Sequence, residues 1–213
     1  QNTYGTGSNF SYQQANGSWG APFIGTRPYA TLDSIPHWYG GRPGMTAFDG
    51  KRVPYRAYPD NVKDFFDTGR IFENSISITG GNEKSVISVT LSQLNQKGFV
   101  PETEFLRHNI SVGGKTTLAN GLVIGGNLAY TRSSQAGVLS GAPTATSGDP
   151  SAFARTMYFG RNWDVQGQPF ENPVDNGSEF FIGRNTANNP YWSVKNSGIR
   201  SRVDRYVAAF SVA

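Results

Sequence analysis

The connections between the extended segments of this chain alternate between short and long, and this alternation restricts the folds available to it. Gly80 to Glu83 is a tight turn, Asn95 to Glu104 is a longer loop, and Ala119 to Gly121 is tight again. The next connection runs from Arg132 to about Arg200. In an antiparallel sheet every second connection lies at the same end, so the short turns gather at one end and the long loops at the other. Outer-membrane barrels have this polarity. The pattern predicts an all-β fold, an antiparallel transmembrane β-barrel segment with long extracellular loops that contain short helices.

From Ile71 to Arg132 the apolar residues recur with a period of two, which predicts four strands. The apolar side consists of Phe72, Ile76, Ile78, Ile87, Val89, Leu91, Leu106, His108, Ile110, Val112, Leu122, Ile124, Leu128 and Tyr130. The other side is mostly Ser, Thr, Asn and Gly, with few of the charged residues that keep a soluble sheet soluble. Each run approaches the roughly 9–11 residues that a tilted strand needs to cross a bilayer. Alternation alone leaves a one-sided soluble sheet open as an alternative.

The flanking regions read as loops with short helices. For residues 1–70 we expect an early strand, then a loop that contains a short helix. Asp60 or Asn61 would cap this helix and Gly69 would end it. Phe65 and Phe66 within it are the expected docking contacts. Residues 133–200 predict a long extracellular loop. Within it we expect a helix from Ser151 to Phe159, with Asp149 as N-cap and Pro150 as the first helical residue. We also expect a turn from Asn188 to Trp192. Residues 201–213 predict a further strand.

Composition excludes several classes of protein. No apolar run approaches the roughly 20 residues of a membrane-spanning helix. The formal charge is only +4 and the basic residues are scattered, which argues against nucleic-acid binding. The chain has no cysteine, which is weak evidence about its compartment. The residues at the amino terminus lack the basic head and apolar core of a signal peptide, so an exported protein would have a processed or internal start.

No arrangement of residues predicts an enzyme. The two histidines, His37 and His108, have no partner at metal-binding spacing. Three acidic residues of one loop, Asp164, Glu171 and Asp175, carry oxygen ligands suited to calcium, but they match no EF-hand spacing and a solvated loop is favoured. Neither a P-loop nor a nucleophile elbow is present. We therefore expect no catalytic residues, no bound metal and no cofactor.

An ordered series of motifs resembles the SusC-like (RagA-like) TonB-dependent outer-membrane transporters. It begins in the run from Pro59 to Gly69, continues through a strand and its turn, and extends to a loop after the next strand. The residues that carry it are Asn61, Phe65, Phe66, Gly69, Asn74, Ser75, Ser77, Gly80, Gly81, Asn82, Glu83, Lys84, Lys97, Gly98 and Pro101. Weaker likenesses lie at Gly5 to Asn9, Ser18 to Gly20 and Asn189 to Trp192.

The resemblance implies a part of a large TonB-dependent transporter barrel in the bacterial outer membrane. Such a protein imports oligosaccharides or peptides, is covered by a SusD-like surface lipoprotein, and is driven by the TonB complex without covalent chemistry. The plug domain and the TonB-contacting segment of that family are absent from residues 1–213, so we expect an internal barrel fragment. Its partners would be the lipoprotein, the TonB complex through other parts of the parent chain, outer-membrane lipid and the substrate.

Aromatic residues of the loops are the candidates for contact with a ligand or with the lipoprotein. They are Trp19, Trp38, Tyr39, Trp163, Tyr191 and Trp192, together with Lys97 at a loop. Packing of the loops on themselves is the favoured alternative, because aromatic residues dominate packing energetics. Phe72 and Tyr130, on the apolar sides of strands, are expected at a membrane interface. Two other functions remain open, a secreted β-rich carbohydrate-binding or adhesin module and a specific porin without a plug.

Overall fold

The computed structural model describes residues 3–24, 32–138, 152–183 and 187–213. The chain is mostly β and contains a five-stranded antiparallel sheet, which confirms the coarse part of the predicted fold class. It divides into two compact units. Unit 1 comprises Gln1–Asp67 and Val138–Gly198, and unit 2 comprises Thr68–Gly137 and Ile199–Ala213. The expected helix cap at Asp149 and Pro150 lies outside the described residues.

Unit 1 has little regular structure. Two short hairpins lie in its first part, β1 (Gly7–Ser8) with β2 (Ser11–Tyr12) and β3 (Ser34–Pro36) with β4 (Arg52–Pro54). A 3₁₀ turn spans Thr46–Phe48, and the helices are α1 (Asn61–Phe65), α2 (Ala152–Thr156) and α3 (Pro190–Asn196). Helices this short are marginal in isolation, so packing must hold them in place.

Two of the helix predictions can be compared directly with these bounds. The existence of helix α1 is confirmed, but its predicted end is wrong, because it ends at Phe65 and not at Gly69. Phe65 is buried and Phe66 is half-buried beside Phe153, as expected for docking contacts. The predicted turn from Asn188 to Trp192 is wrong, because α3 begins there. The Asn189 side chain accepts a hydrogen bond from the Tyr191 N–H at 3.0 Å, and Pro190 occupies the first turn. An Asn cap followed by Pro is a helix-start signal.

An aromatic cluster forms the core of unit 1. Trp38, Tyr39, Trp163, Phe180 and Phe181 are each at most 2 % exposed. The Trp163 and Phe180 rings meet edge to face with centroids 5.2 Å apart, and Phe181 lies 5.4 Å from Trp163. Edge-to-face contacts add to the gain from burial of aromatic area. Burial also raises the pKa of the Tyr39 hydroxyl far above its usual value. In the described part of unit 1, this core takes the place of packed layers of helices or strands.

Buried polar side chains satisfy the loop backbone around this core. Asn61 donates from Nδ2 to the carbonyls of Gly160 (3.2 Å) and Trp163 (2.6 Å). Gln14 donates from Nε2 to the carbonyls of Trp38 (2.8 Å) and Phe181 (2.6 Å). Irregular backbone lacks the regular backbone hydrogen bonds of a helix or sheet. A buried carbonyl without a hydrogen-bond partner lowers the stability of the fold. These amides therefore stabilise the loops as a helix or sheet ladder would elsewhere.

A buried ion pair crosses unit 1. Arg42 Nη1 lies 2.9 Å from Glu179 Oε2, and the Glu179 side chain is fully buried. Asn172 Nδ2 donates to Glu179 Oε1 at 2.8 Å, and Arg42 Nη1 also donates to the Phe180 carbonyl at 2.8 Å. A buried carboxylate needs such partners to offset the loss of water. The pair therefore links the segment around residue 42 to the segment around residue 179.

Unit 2 is a single sheet with strand order β5-β6-β7-β8-β9. The strands are β5 (Arg70–Gly81), β6 (Ser85–Lys97), β7 (Glu104–Thr117), β8 (Val123–Val138) and β9 (Gly198–Val212). We call the end that carries connections 82–84 and 118–122 the turn end. The opposite end, which carries 98–103 and 139–197, is the loop end. Both the β8 to β9 connection and the start of β5 belong to the loop end.

Several strands extend further than their sequence pattern. β6 continues to Lys97, so connection 98–103 is close in length to 118–122 and the alternation of short and long connections is weaker than expected. β8 was expected to end at Arg132 but continues to Val138, and β9 begins at Gly198. The extension of β8 lacks apolar alternation, yet β7 offers backbone partners there, as in the pair Phe105 and Gln135. Backbone pairing therefore continues where the hydrophobic pattern has stopped.

We predict that Arg42→Met will destabilise unit 1 by about 3–5 kcal/mol, because it leaves the buried Glu179 carboxylate without its guanidinium. All four tryptophans of the chain lie in unit 1, so urea unfolding followed by tryptophan fluorescence reports on this unit. Arg52→Met is the matched control, because the exposed Arg52 bonds only to Ser34 among the described residues and should cost less than about 1 kcal/mol. Equal losses in both variants would contradict the structural role of the ion pair.

We also predict that His37 makes the stability of unit 1 depend on pH. His37 is buried, stacks on Phe48 at 4.2 Å, and accepts a hydrogen bond at Nδ1 from the Tyr39 N–H. Burial, and to a smaller extent the positive charges of Lys51 and Arg42, lower the pKa of His37. The unfolded chain, with a pKa of about 6.5, then binds more protons than the folded chain, so stability falls as the pH drops below about 6.5.

The measurement is the melting temperature of unit 1, by tryptophan fluorescence, between about pH 7.5 and 5.5. His37→Asn keeps an acceptor near the Nδ1 position but cannot titrate, so its melting temperature should fall less across this range. His108→Asn, which removes the other histidine and lies in unit 2, should behave as the parent chain. If the melting temperature of His37→Asn falls with pH as steeply as that of the parent chain, His37 is not the titrating group.

Candidate functional site: the apolar face of the five-stranded sheet

The strand registers bring the apolar residues of unit 2 onto one face of the sheet, in rows that cross the strands. In one row Ile78 pairs with Val89, Val89 with Val112, and Val112 with Leu128. The next row contains Ile76, Leu91, Ile110 and Tyr130. The row on the other side contains Gly80, Ile87, Gly114 and Gly126. We call this surface the apolar face, and it confirms that the alternating residues of the four segments share a side.

Strand β9 extends the apolar face by a fifth strand. Val123 and Ala213 exchange both backbone hydrogen bonds, at 2.8 and 3.0 Å. The Tyr130 ring stacks on the Tyr206 ring with centroids 4.8 Å apart. Because side chains alternate along a strand, Tyr206, Ala208, Phe210 and Val212 all join the apolar face. Sequence analysis predicted this strand but did not assign its faces.

The opposite face of the sheet, the polar face, consists mainly of small hydrogen-bonding side chains. The hydroxyls of Ser77 and Thr90 lie 2.9 Å apart, and Thr131 Oγ1 donates to Asn109 Oδ1 at 2.8 Å. One exposed ion pair, Arg107 with Glu73 at 3.4 Å, also crosses strands here. The two hydrogen bonds link neighbouring strands, and the ion pair reaches from β5 to β7 across β6. On β5 to β8 the sheet therefore separates an apolar surface from a mainly hydrogen-bonding one.

The apolar face is the more exposed of the two. Ile78, Leu128 and Ile110 are 64 %, 57 % and 41 % exposed, whereas Thr90 and Ser111 on the polar face are half-buried although they are smaller. Crowding of small side chains is expected on the concave side of a curved sheet. An exposed apolar surface that extends over five strands is far more than scattered surface residues, and such a surface marks a contact with a partner or a membrane.

The apolar face changes character near the loop end. Four rows, from Ile124 to Tyr130, contain no acidic or basic side chain and span about 20 Å along the strands at about 3.4 Å per residue. The following row contains Asn74, Gln93, His108 and Arg132. At the boundary, Asp204 Oδ1 accepts hydrogen bonds from the Tyr130 hydroxyl at 2.6 Å and from Arg132 Nε at 2.7 Å. A tyrosine pair thus lies between the apolar rows and the charged ones.

The glycines and the Asn of the motif series shape the connections of unit 2. Asn82 Oδ1 accepts hydrogen bonds from the backbone N–H of Lys84 (3.0 Å) and Ser85 (2.9 Å), and Glu83 is exposed in the same turn. A Cβ at Gly81 would lie 2.2 Å from the Ser85 carbonyl oxygen. A Cβ at Gly98 would lie 2.2 Å from Thr103 Oγ1. Close backbone approach explains the glycine at position 81, and contact with the Thr103 side chain explains it at position 98.

The remaining motif residues fall in different settings. Gly69 precedes β5, and Gly80 lies on the apolar face with nothing within 4 Å of its would-be Cβ. Asn61, Phe65 and Phe66 belong to α1 and its end, in unit 1. Asp60 or Asn61 was expected as the helix cap. The cap is Asp60, and the Asn61 side chain satisfies buried loop carbonyls.

The aromatic candidates divide between core and surface. Trp38, Tyr39 and Trp163 are buried in the core of unit 1, as the loop-packing alternative requires. Trp19 is 55 % exposed and lies 5.4 Å from the Tyr4 ring. Lys97 is exposed at the loop end of β6, in unit 2. Sequence reasoning had no signal to separate core aromatics from surface ones, because all lie in irregular segments.

Tyr191 and Trp192 are half-buried and already engaged. The Tyr191 hydroxyl accepts a hydrogen bond from Gln166 Nε2 at 2.7 Å, and burial raises the pKa of this hydroxyl. Trp192 Nε1 donates to the Asn176 carbonyl at 2.8 Å. Their polar atoms therefore hold the fold of unit 1, and neither residue offers a free indole N–H or hydroxyl to a ligand.

The acidic candidates do not converge. Asp164 and Asp175 each accept a hydrogen bond from a nearby backbone N–H, at 2.9 Å, and Glu171 pairs with Lys195. Within the part of the chain that the structure describes, no group of three or more His, Asp or Glu side chains is placed to hold a metal. Across the same residues, no helix is long and apolar enough to cross a membrane.

Comparison with known proteins identifies no family for this chain. No family model matches the chain, and no curated protein matches it either.

We predict that the apolar face makes the chain self-associate in detergent-free buffer. Two acidic substitutions on it, Ile110→Glu with Leu128→Glu, should shift the chain towards monomer, because they disrupt the centre of the exposed surface. Sedimentation velocity measures the change. The matched control is Ser111→Glu with Asn127→Glu, which adds the same charge to neighbouring positions on the polar face. If both variants dissociate equally, net charge and not the apolar face controls association.

Proposed function

We propose that this chain forms part of the wall of an outer-membrane transporter barrel of the SusC-like, TonB-dependent type. The observation that carries the proposal is the apolar face, which extends over five strands and lies opposite a mainly hydrogen-bonding face on β5 to β8. On β9 the opposite side is mixed, with Val203 and Val207 beside Ser201 and Arg205. In a transmembrane barrel, alternate residues face lipid and lumen, so each strand has one apolar and one polar side. Lipid would cover the apolar face, and the lumen would lie on the side of the polar face.

Strand length supports a membrane-spanning role. The strands β5 to β9 contain 12, 13, 14, 16 and 15 residues. A tilted strand needs about 9–11 residues to cross the hydrocarbon layer, so each has residues to spare at its ends. The tyrosine pair at the boundary of the apolar rows matches the aromatic girdle that such barrels place at the interface with water.

The sheet edges require further strands in this proposal. β5 and β9 are the edge strands of the sheet, and each presents one row of backbone N–H and C=O groups without a neighbouring strand in unit 2. Unsatisfied backbone groups are excluded from the hydrocarbon layer, because each costs several kcal/mol. A wall in lipid must therefore continue on both sides into more strands of the same barrel.

The motif series suggests what the barrel transports. Its resemblance to SusC-like proteins favours import of oligosaccharides or peptides, with energy from the TonB complex and a SusD-like lipoprotein as the lid. Long connections of such barrels lie outside the cell, so the loop end would face the exterior. The chain would supply wall and loop surface and carry out no covalent chemistry, and neither nucleic acid nor a cofactor takes part.

The exposed apolar face favours this function over a secreted binding module. Such a module would pack the apolar side of its sheet against a second layer. Of the six aromatic candidates for stacking on a sugar, Trp38, Tyr39 and Trp163 are buried. Tyr191 and Trp192 are half-buried, and Trp19 alone of the six is exposed. A porin without a plug would share the same wall, so the parent chain and its partners must separate these two functions.

The decisive experiment uses the absence of cysteine in the chain. Single cysteines at Leu128 on the apolar face and at its neighbour Asn127 on the polar face are spin-labelled in the native-length protein in membranes. We expect the label at Leu128 to collide with oxygen dissolved in lipid, and the label at Asn127 to collide with a water-soluble nickel chelate. Ile110 and Ser111 on β7 give a second matched pair. Aqueous contact at both members of each pair would contradict a lipid-facing wall.

The importer assignment has its own measurement. The protein extracted from these membranes in detergent is examined by intact mass, with its co-purifying chains identified. A parent chain several times larger, together with a surface lipoprotein, is the expected result. A lone barrel with neither plug nor lipoprotein would favour the porin, and a water-soluble species of about this size would favour the secreted module.

A further inference from the structure

Basic residues gather on the apolar face beyond its tyrosine pair, at the loop end of the sheet. Arg132 lies one row beyond Tyr130, and Arg202 and Arg200 follow Asp204 at two-residue steps on the same face of β9. We call these three arginines the headgroup patch. Arg70 and Lys97, which pair across β5 and β6, lie on this face at the same end. The strands carry only two acidic residues there, Asp204 and Glu104, against five basic ones.

Asp204 organises the patch without neutralising it. Its Oδ1 atom accepts from Arg132 Nε at 2.7 Å, and its Oδ2 atom accepts from Arg202 Nε at 3.3 Å. Both hydrogen bonds use Nε, and the Arg132 guanidinium also lies over the Tyr130 ring, 5.9 Å from its centroid. Within the described ranges no carboxylate binds the Nη groups of either arginine, which leaves them for an anionic acceptor. The Arg132 and Arg202 side chains are 45 % and 59 % exposed. One carboxylate thus holds two guanidiniums together and leaves a net positive charge.

The position of the patch matches the headgroup layer of a bilayer. The apolar rows end at the stacked tyrosines, and tyrosines are enriched where hydrocarbon meets headgroups. The arginines begin one row, about 7 Å, further along the strands. Guanidinium groups bind phosphate through paired N–H donors, which suits clustered arginines to phosphate-bearing headgroups.

We propose that Arg132, Arg200 and Arg202 bind the phosphate groups of anionic lipids in the leaflet at the loop end of the sheet. This inference rests on the proposed membrane function, because it requires lipid against the apolar face. The headgroup patch would give the sheet a preference for anionic lipids, whereas the apolar rows alone would contact the hydrocarbon chains of any lipid. The polar face offers no equivalent position, since its basic residues would lie towards the lumen.

The test measures lipid selectivity by electron paramagnetic resonance. The native-length protein is reconstituted into phosphatidylcholine vesicles that contain either spin-labelled phosphatidylglycerol or spin-labelled phosphatidylcholine. We expect the protein to retain the anionic label preferentially. Replacement of the patch by Arg132→Gln, Arg200→Gln and Arg202→Gln should lower this preference by up to about fivefold for each arginine at low salt. The preference of the parent protein should also weaken as salt is raised.

The control variant removes the same number of charges from the polar face, by Arg107→Gln, Lys115→Gln and Arg205→Gln. It should keep the parent selectivity. The single variant Arg200→Gln guards against misfolding, because the Arg200 side chain makes no hydrogen bond or ion pair within the described residues. It should lose its own share of the preference. Equal selectivity in parent, patch and control variants would overturn the proposal.

The spin label at Leu128 separates the two hypotheses in the same samples. Lipid contact at Leu128 with unchanged selectivity in the patch variant would overturn the headgroup assignment and leave the membrane function standing. Aqueous contact at Leu128 would overturn both. Loss of selectivity in the patch variant, with lipid contact at Leu128 and a normal control, would support both.

Discussion

The register of one antiparallel ladder is the constraint on which unit 2 depends. The pairs Ile78 with Val89 and Val112 with Leu128 align apolar side chains across strands. A shift of one residue in any strand would exchange its apolar and polar side chains between the faces. The Asn82 turn and the close backbone approach at Gly81 limit such a shift between β5 and β6. Both the apolar face and the arginines at its loop end follow from this alignment, because each is a set of rows that exists only in one register.

Unit 1 achieves its stability by a different route. Its described residues form only short hairpins, so amide side chains such as Asn61 and Gln14 satisfy buried loop carbonyls around an aromatic core. The Arg42 and Glu179 pair then joins distant segments inside that core. Such a structure depends on a few specific side chains, whereas the sheet depends on a repeated pattern. Substitutions in unit 1 should therefore act singly and strongly, and those in unit 2 should act according to the face on which they lie.

Predictions from the sequence succeeded where a local pattern corresponds directly to a local structure. Period-two alternation located the strands and the shared face, and the Asp60 to Gly69 run located α1. They failed where long-range partners decide. β8 continues past Arg132 because β7 pairs with it, and α3 replaced a predicted turn although Asn189 and Pro190 carried the signal of a helix start. The burial of Trp38 and Trp163 and the exposure of Trp19 had no sequence signal, since irregular segments lack a period that separates inside from outside.

The sequence by itself determined the alternation of side chains along each strand, the tight turns and the absence of any long apolar helix, because these depend on residues close together in the chain. Only the tertiary structure decided that Asp204 meets Tyr130 and Arg132, and that Glu179 meets Arg42. Those partners are separated by more than seventy residues of chain. Loop connections of that length do not specify which residues meet, so the backbone pairing of β8 with β9 and the packing of the aromatic core must bring them together.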